Sequence, residues 1–239
     1  MVADLNRIFV GISLLLAVCF SYVLNLDLIL LFIIFLFVLY DLYALKLINS
    51  ITQILIISFI LILYFLINNF NILLIYLCLI QISLIFLTLF VSRYKFILFN
   101  ITLCIFCLIL FLINNADRNI FYLIIGISFF NDTMAYIFGS KIKGPLILPN
   151  ISPKKTWSGT LISFFLSTII LIILNFDIFF SVLISIFLFL GDIFFSFIKR
   201  SLNIKDFSSA LGNHGGILDR LDSMFLISIF FKLYLIINL

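Results

Sequence analysis

The stretch IFFSVLISIFLFLGDIFFSFI, residues 178–198, decides the fold class. It is as long as a helix that crosses a bilayer, which needs roughly 20 residues, and Asp192 is its one charge. Its apolar residues run continuously instead of alternating with polar ones, which argues against a transmembrane β-barrel. Similar runs recur along the chain, and their polar breaks give approximate spans at 7–24, 27–43, 50–67, 71–91, 96–113, 119–138, 160–176, 178–198 and 223–239. Several breaks are tight, so eight or nine spans are expected. The whole chain agrees: 239 residues are 66% hydrophobic and 10% charged, with a mean hydropathy of +1.42. Soluble domains are nearer half apolar and a quarter charged, and a chain this apolar would aggregate in water. The expected fold is all-α, a polytopic membrane helical bundle. The run that follows Arg7 reads as a retained anchor, because another apolar run begins at once and no small-residue cleavage site intervenes.

Orientation follows from the distribution of basic residues. With the N-terminus in the cytoplasm, the inner side receives Arg7, Lys46, Arg93, Lys95, Lys141, Lys143, Lys154, Lys155, Lys199, Arg200, Lys205 and Arg220. The outer side receives Arg118, and Lys232 falls inside the last span. This asymmetry places the two long loops, 139–159 and 199–222, on the cytoplasmic face. The expected location is the inner cell membrane.

The scarce residue types mark where to look for function. All ten acidic residues are Asp. Pro145, Pro149, Pro153 and the single Trp157 lie close together, the single His is His214, and seven of nine glycines fall between Gly139 and Gly216. Residues 1–118 therefore read as scaffold and 119–239 as the half that carries the catalytic loops. Cys104 and Cys107 spell C-x-x-C, but they sit in an apolar run without partner ligands and read as packing residues, as do Cys19 and Cys78.

In the first loop, Gly139 to Gly144 has the spacing of a P-loop, but the required Lys-Ser or Lys-Thr does not follow and no strand precedes it. Ser152-Pro153-Lys154-Lys155-Thr156-Trp157 offers two cations and two hydroxyls beside a rigid turn, suited to a polyphosphate. An ordinary positive-inside loop with an interfacial Trp is the plainer alternative. Asp132 lies near the end of the sixth span, and an ionisable residue there is a functional candidate by default.

The second loop is richer. Asp192 lies about two turns, near 10 Å, inside its span; a charged carboxylate at such depth costs roughly 2.5–3.5 kcal/mol. A metal ion or a lysine should offset it. Asp219 and Asp222 are spaced i, i+3 and share a face if the segment is helical, with Arg220 off that face. Gly215-Gly216 upstream allows close backbone approach to an anion and leads toward a helix N-terminus. Carboxylates next to such a turn suit Mg²⁺ shared with substrate phosphates. A structural salt-bridge network among Asp192, Lys199, Arg200, Asp219 and Arg220 is the competing reading. His214 alone reads as an ordinary loop histidine, and Lys232 receives no role.

The run Ser196-x-x-Lys199-Arg200-x4-Lys205-Asp206-x-Ser208-x2-Leu211-Gly212-x-His214-Gly215-Gly216-Ile217-x-Asp219-Arg220-Leu221-Asp222 closely resembles the signature of phosphatidate cytidylyltransferases (CDP-diacylglycerol synthases). Asp132 with Ala135-Tyr136, and the block from Ser152 to Trp157, resemble that family's other motifs in the same order. Residues 1–115 match only as a series of apolar spans. Two positions depart: Ser158 and Phe195 stand where the family usually has Glu.

The resemblance implies transfer of CMP from CTP to phosphatidic acid, giving CDP-diacylglycerol and pyrophosphate. It implies Asp192, Asp219, Lys199 and Arg220 as catalytic residues, with Mg²⁺ on Asp192 and Asp219. Asp132, Ser152, Lys154, Lys155, Thr156, Arg200, Lys205, Asp206, His214, Gly215, Gly216 and Asp222 would bind substrate. Its expected partners are CTP, phosphatidic acid, the bilayer and a second copy in a homodimer, with no nucleic acid. Two other readings remain open: a CTP-dependent polyprenol or phytol kinase, which shares a lysine-rich nucleotide block, and a transporter, which predicts broken helices in two related halves.

Overall fold

The computed structural model describes residues 16–44, 71–90, 95–208 and 215–237. The span expected at 50–67, half of that at 7–24, and His214 lie outside the described residues. A helical stretch at 16–23 precedes α1 (Asp27–Ala44), α2 (Asn71–Phe90), α3 (Lys95–Ala116) and α4 (Arg118–Ile142). Then come β1 (Leu146–Leu148), β2 (Ser152–Thr156), α5 (Trp157–Ile173), α6 (Ile178–Ser201) and α7 (Leu218–Ile237). Three of these helices, α1, α4 and α6, are long and apolar enough to cross a membrane. Helices suit that setting because they satisfy every backbone polar group internally.

Three helix ends share one chemical cause. Asn25, Asn175 and Asn203 all take left-handed backbone, with φ of 56°, 67° and 56°. Asn tolerates that conformation because its short side chain bonds locally. Each therefore closes the preceding helix with a reverse bond across the turn: Leu26 N to Ser21 O, Phe176 N to Leu171 O, and Ile204 N to Lys199 O, at 2.9–3.1 Å.

The stretch expected as the first loop is more ordered than a loop. Helix α4 runs on to Ile142, and β1 and β2 pair antiparallel, with Leu146 opposite Thr156 and Leu148 opposite Ser152. Among the described residues, all-α thus holds except for one short hairpin. Helix α7 likewise starts at Leu218, ahead of the expected 223, so the charged Asp219–Asp222 segment is helical.

The chain divides into two compact units: 1–121 with 207–218 and 231–239, and 122–206 with 219–230. In the first, α3 packs against α1 and α2, and Lys232, which is buried, donates to the Leu112 carbonyl at 3.2 Å. At the start of α1, Asp27 accepts from Arg118 Nε at 2.8 Å. In the second, α5 packs against α6 through small polar side chains: Thr168 Oγ1 donates to Ser185 Oγ at 2.9 Å. Small residues let helix backbones approach closely where burial of apolar area gives no drive.

Candidate functional site

Helices α4, α6 and α7 and strand β2 bring the charged residues of the second unit together. Thr156 closes β2 and caps α5: its Oγ1 accepts from Gly159 N at 3.3 Å, one of the contacts a helix N-terminus needs. The preceding residue, Lys155, forms an ion pair with Asp192 of α6. This side chain also lies 5.9 Å from the centroid of the Phe189 ring. The lysine alternative for offsetting Asp192 is therefore realised, by a residue from the other sequence block.

A second ion pair joins Lys199 Nζ to Asp219 Oδ1 at 2.8 Å, with side-chain exposures of 12% and 7%. The helical form of 218–222 puts Asp222 on the same face as Asp219. Asp222 is buried, at 6% exposure, and its Oδ1 accepts from Ser223 N at 2.9 Å. Ser223 Oγ donates to Asp132 Oδ2 at 3.2 Å and lies 2.5 Å from Ser128 Oγ. Helix α6 reaches α7 at Gly191, where a Cβ would come 2.7 Å from the Asp222 carbonyl oxygen. A side chain there would separate the helices that carry Asp192 and Asp222.

Electrostatically this is one cluster. The charge of Asp192 acts on both Asp132 and Asp222, and those of Lys155 and Lys199 act on Asp222. Asp219 and Asp222 both act on Lys199, and Arg220 reaches Asp132. Four carboxylates and two lysines thus sit where their charges interact strongly in poorly solvated surroundings. Among the described residues, no group of three or more His, Cys, Asp or Glu is arranged to hold a metal ion. The donor chemistry still fits Mg²⁺, which takes one or two carboxylates and completes its shell with water and phosphate oxygens. Asp192 and Asp219 offer such oxygens, each now balanced by a lysine.

The other expected residues with described side chains stand outside these ion pairs. Arg200 donates from Nε to the Ile151 carbonyl at 3.0 Å and from Nη1 to that of Ile204 at 3.1 Å. It thereby ties the end of α6 to the hairpin turn. Ser152 is half-buried in β2, while Lys205 and Asp206 are exposed after α6. Gly215 and Gly216 are buried in the first unit.

The two departures from the family pattern have local explanations. Ser158 donates to the Lys143 carbonyl and touches Thr156. Phe195 is fully buried, its ring 5.2 Å from that of Phe225, which also stacks on Phe194 at 5.6 Å. Sequence reasoning passed over Ser128, Ser223 and Asp41. Ser128 and Ser223 carried no signal among so many span serines. Asp41 did, as an ionisable residue inside an apolar run.

Known proteins are similar to this chain in sequence. Phosphatidate cytidylyltransferases are similar to this chain: that of Rickettsia prowazekii (strain Madrid E) is 36% identical over 136 residues, covering 50% of this chain and 60% of the relative. That of Aquifex aeolicus (strain VF5) is 38% identical over 123 residues, or 48% of each chain. That of Rickettsia conorii is 35% identical over 123 residues, covering 44% and 54%. The chain thus spans about half the length of the curated relatives it matches. The cytidylyltransferase family model matches residues 5–238, a range that holds every residue of the cluster, and the chain therefore belongs to the cytidylyltransferase family.

Proposed function

We propose that this protein is a phosphatidate cytidylyltransferase. The observation that carries the reading is the paired cluster of the second unit, Lys155–Asp192 and Lys199–Asp219 with Asp132 and Asp222 beside them. It unites all three motif blocks at one place. The reaction joins two polyanions, so it calls for cations and oriented carboxylates more than for a nucleophile with its own base. A phosphate oxygen of phosphatidic acid attacks the α-phosphorus of CTP. A new P–O bond forms, the bond from that phosphorus to the bridging oxygen breaks, and pyrophosphate leaves with the electron pair. The lipid phosphate, with a second pKa near 6, needs no proton removed.

Lys155, Lys199 and Arg220 neutralise triphosphate and lipid phosphate, with Arg200 and Lys205 at the rim, and the motif adds Lys154 to the substrate-binding residues. Each lysine in the cluster now balances a carboxylate; the triphosphate offers it a second anion and frees that carboxylate. Asp192 and Asp219 are the residues to hold Mg²⁺, which supplies charge neutralisation at the α-phosphate. Asp132, Asp222, Ser152, Thr156 and Asp206 line the substrate side of the second unit, while His214, Gly215 and Gly216 are assigned to substrate binding by the motif alone. The acyl chains stay in the bilayer. In the same reading the chain crosses the inner membrane eight or nine times, N-terminus and both loops cytoplasmic, and works as a homodimer. Residues 1–118 are its scaffold and 119–239 carry the chemistry.

The test is turnover of labelled CTP by detergent-purified protein, with phosphatidic acid or a polyprenol, each with Mg²⁺ or EDTA. Mg²⁺-dependent CDP-diacylglycerol formation supports the proposal. Labelled phosphate appearing only on polyprenol moves the protein to the kinase reading, and silence with both lipids from folded protein refutes it.

A further inference from the structure

Helix α7 carries Asp219 in its first turn and Asp222 at the start of the next, so its start point sets where both carboxylates stand. The described residues just ahead of that start offer it no side-chain cap. The first backbone N–H groups of a helix have no partner within it, and side-chain oxygens of the preceding residues usually accept them. Here the preceding residues are Gly215, Gly216 and Ile217, none of which has a side-chain oxygen. Leu218 is fully buried, and an amide left there without an acceptor would be costly.

The acceptor comes from α1. Asp41, at 0% exposure, takes the Leu218 N–H on Oδ2 at 2.9 Å. Its Oδ1 takes the Ser208 hydroxyl at 2.5 Å. Gly216 packs directly on the carboxylate: a Cβ there would lie 2.7 Å from Asp41 Cγ and 2.9 Å from Oδ1. One carboxylate therefore meets both ends of the 208–218 segment, and all of these residues belong to the first unit.

We infer that Asp41 is a positioning residue: it clasps residues 208 and 216–218, fixes the first turn of α7, and through that turn sets the placement of Asp219 and Asp222. A buried carboxylate is costly unless hydrogen-bonded, so Asp41 and the segment hold each other. The bareness of Gly216 then has its use in admitting this carboxylate.

The inference rests on the proposed reaction, and its test separates the two. Asp41→Ala and Asp41→Asn are purified in detergent beside the wild-type protein. Turnover of CTP with phosphatidic acid is measured, together with hydrogen–deuterium exchange of the peptide covering 215–223. Asp41→Ala should lower kcat roughly 10- to 100-fold, the scale of a small misplacement at a reacting centre, while KM for CTP changes about threefold or less. The 215–223 peptide should exchange faster. Asp41→Asn keeps an amide oxygen for Leu218 N–H, and Ser208 can turn to accept from its NH₂; it should recover to within about fivefold of wild type.

Unchanged exchange in Asp41→Ala overturns the inference, as does faster exchange with unchanged kcat. If Asp41→Ala fails to fold, the Asp41→Asn protein decides: loss of kcat as complete as that of an Asp192 variant overturns it. A wild-type protein without turnover would sink the proposed reaction, while the exchange data would still report whether Asp41 holds the start of α7.

Discussion

Helices α1 and α6 each hold an aspartate within an apolar run, and the two aspartates are met by different chemistry. Asp192 faces a full counter-charge, Lys155, and both side chains keep about a fifth of their surface exposed, at 19% and 21%. Asp41 is met by a hydroxyl and a backbone amide, with 0% exposure. Neutral donors bound to a carboxylate with no exposed surface form a fixed joint, because water is kept from competing for them. An ion pair at a partly open site is exchangeable: an incoming anion can take the lysine and an incoming cation the carboxylate. The same residue type thus serves as a fastener in one helix and as working chemistry in the other.

The sharpest way to break this contrast is Asp192→Asn. It should lower turnover about 1,000-fold, at the upper end for loss of one charged group at a reacting phosphate, with the protein still inserted and folded by size-exclusion chromatography. Activity near wild type would remove Asp192 from the chemistry. Lys155→Met should cost roughly 100-fold in kcat/KM for CTP, since it removes a phosphate contact and strands Asp192. A silent Lys155→Met would mean that the pair is no more than a surface tie. Ser208→Ala tests the other side of the contrast: it should lower stability by about 1 kcal/mol, the worth of one hydrogen bond, read as a modest drop in Tm. Smallest is Ser158→Glu, which restores the family's usual carboxylate in the first turn of α5. Favourable placement near a helix N-terminus, about 0.3–1 kcal/mol, would offset loss of the contact to Lys143, leaving turnover within about twofold.

Much of the helical frame could be read from run length and Asn breaks, since a bilayer-sized apolar run leaves the backbone few options. Span 27–43 became α1 at 27–44, and 178–198 became α6 at 178–201. The hairpin escaped because Leu146–Leu148 is too short for an alternating pattern and Ser152–Thr156 holds two lysines and a proline, which read as a loop. The start of α7 escaped because Asp219, Arg220 and Asp222 look like loop polarity, whereas its cap lies far away on α1. For the site, the motif blocks named the residues but not their pairing. That Asp192 meets Lys155 while Asp219 meets Lys199 depends on how α6 lies against β2 and α7, which spacing along the chain does not encode.

The most direct test of the account compares kcat for CDP-diacylglycerol formation in Asp41→Asn and Asp192→Asn, at equal amounts of folded protein and saturating Mg²⁺. A working carboxylate cannot become an amide without losing its charge, but a fastening one keeps an acceptor. Asp41→Asn should retain activity within about fivefold of wild type and exceed Asp192→Asn by roughly 100-fold or more. Equal losses in the two variants, or the reverse order, would contradict it.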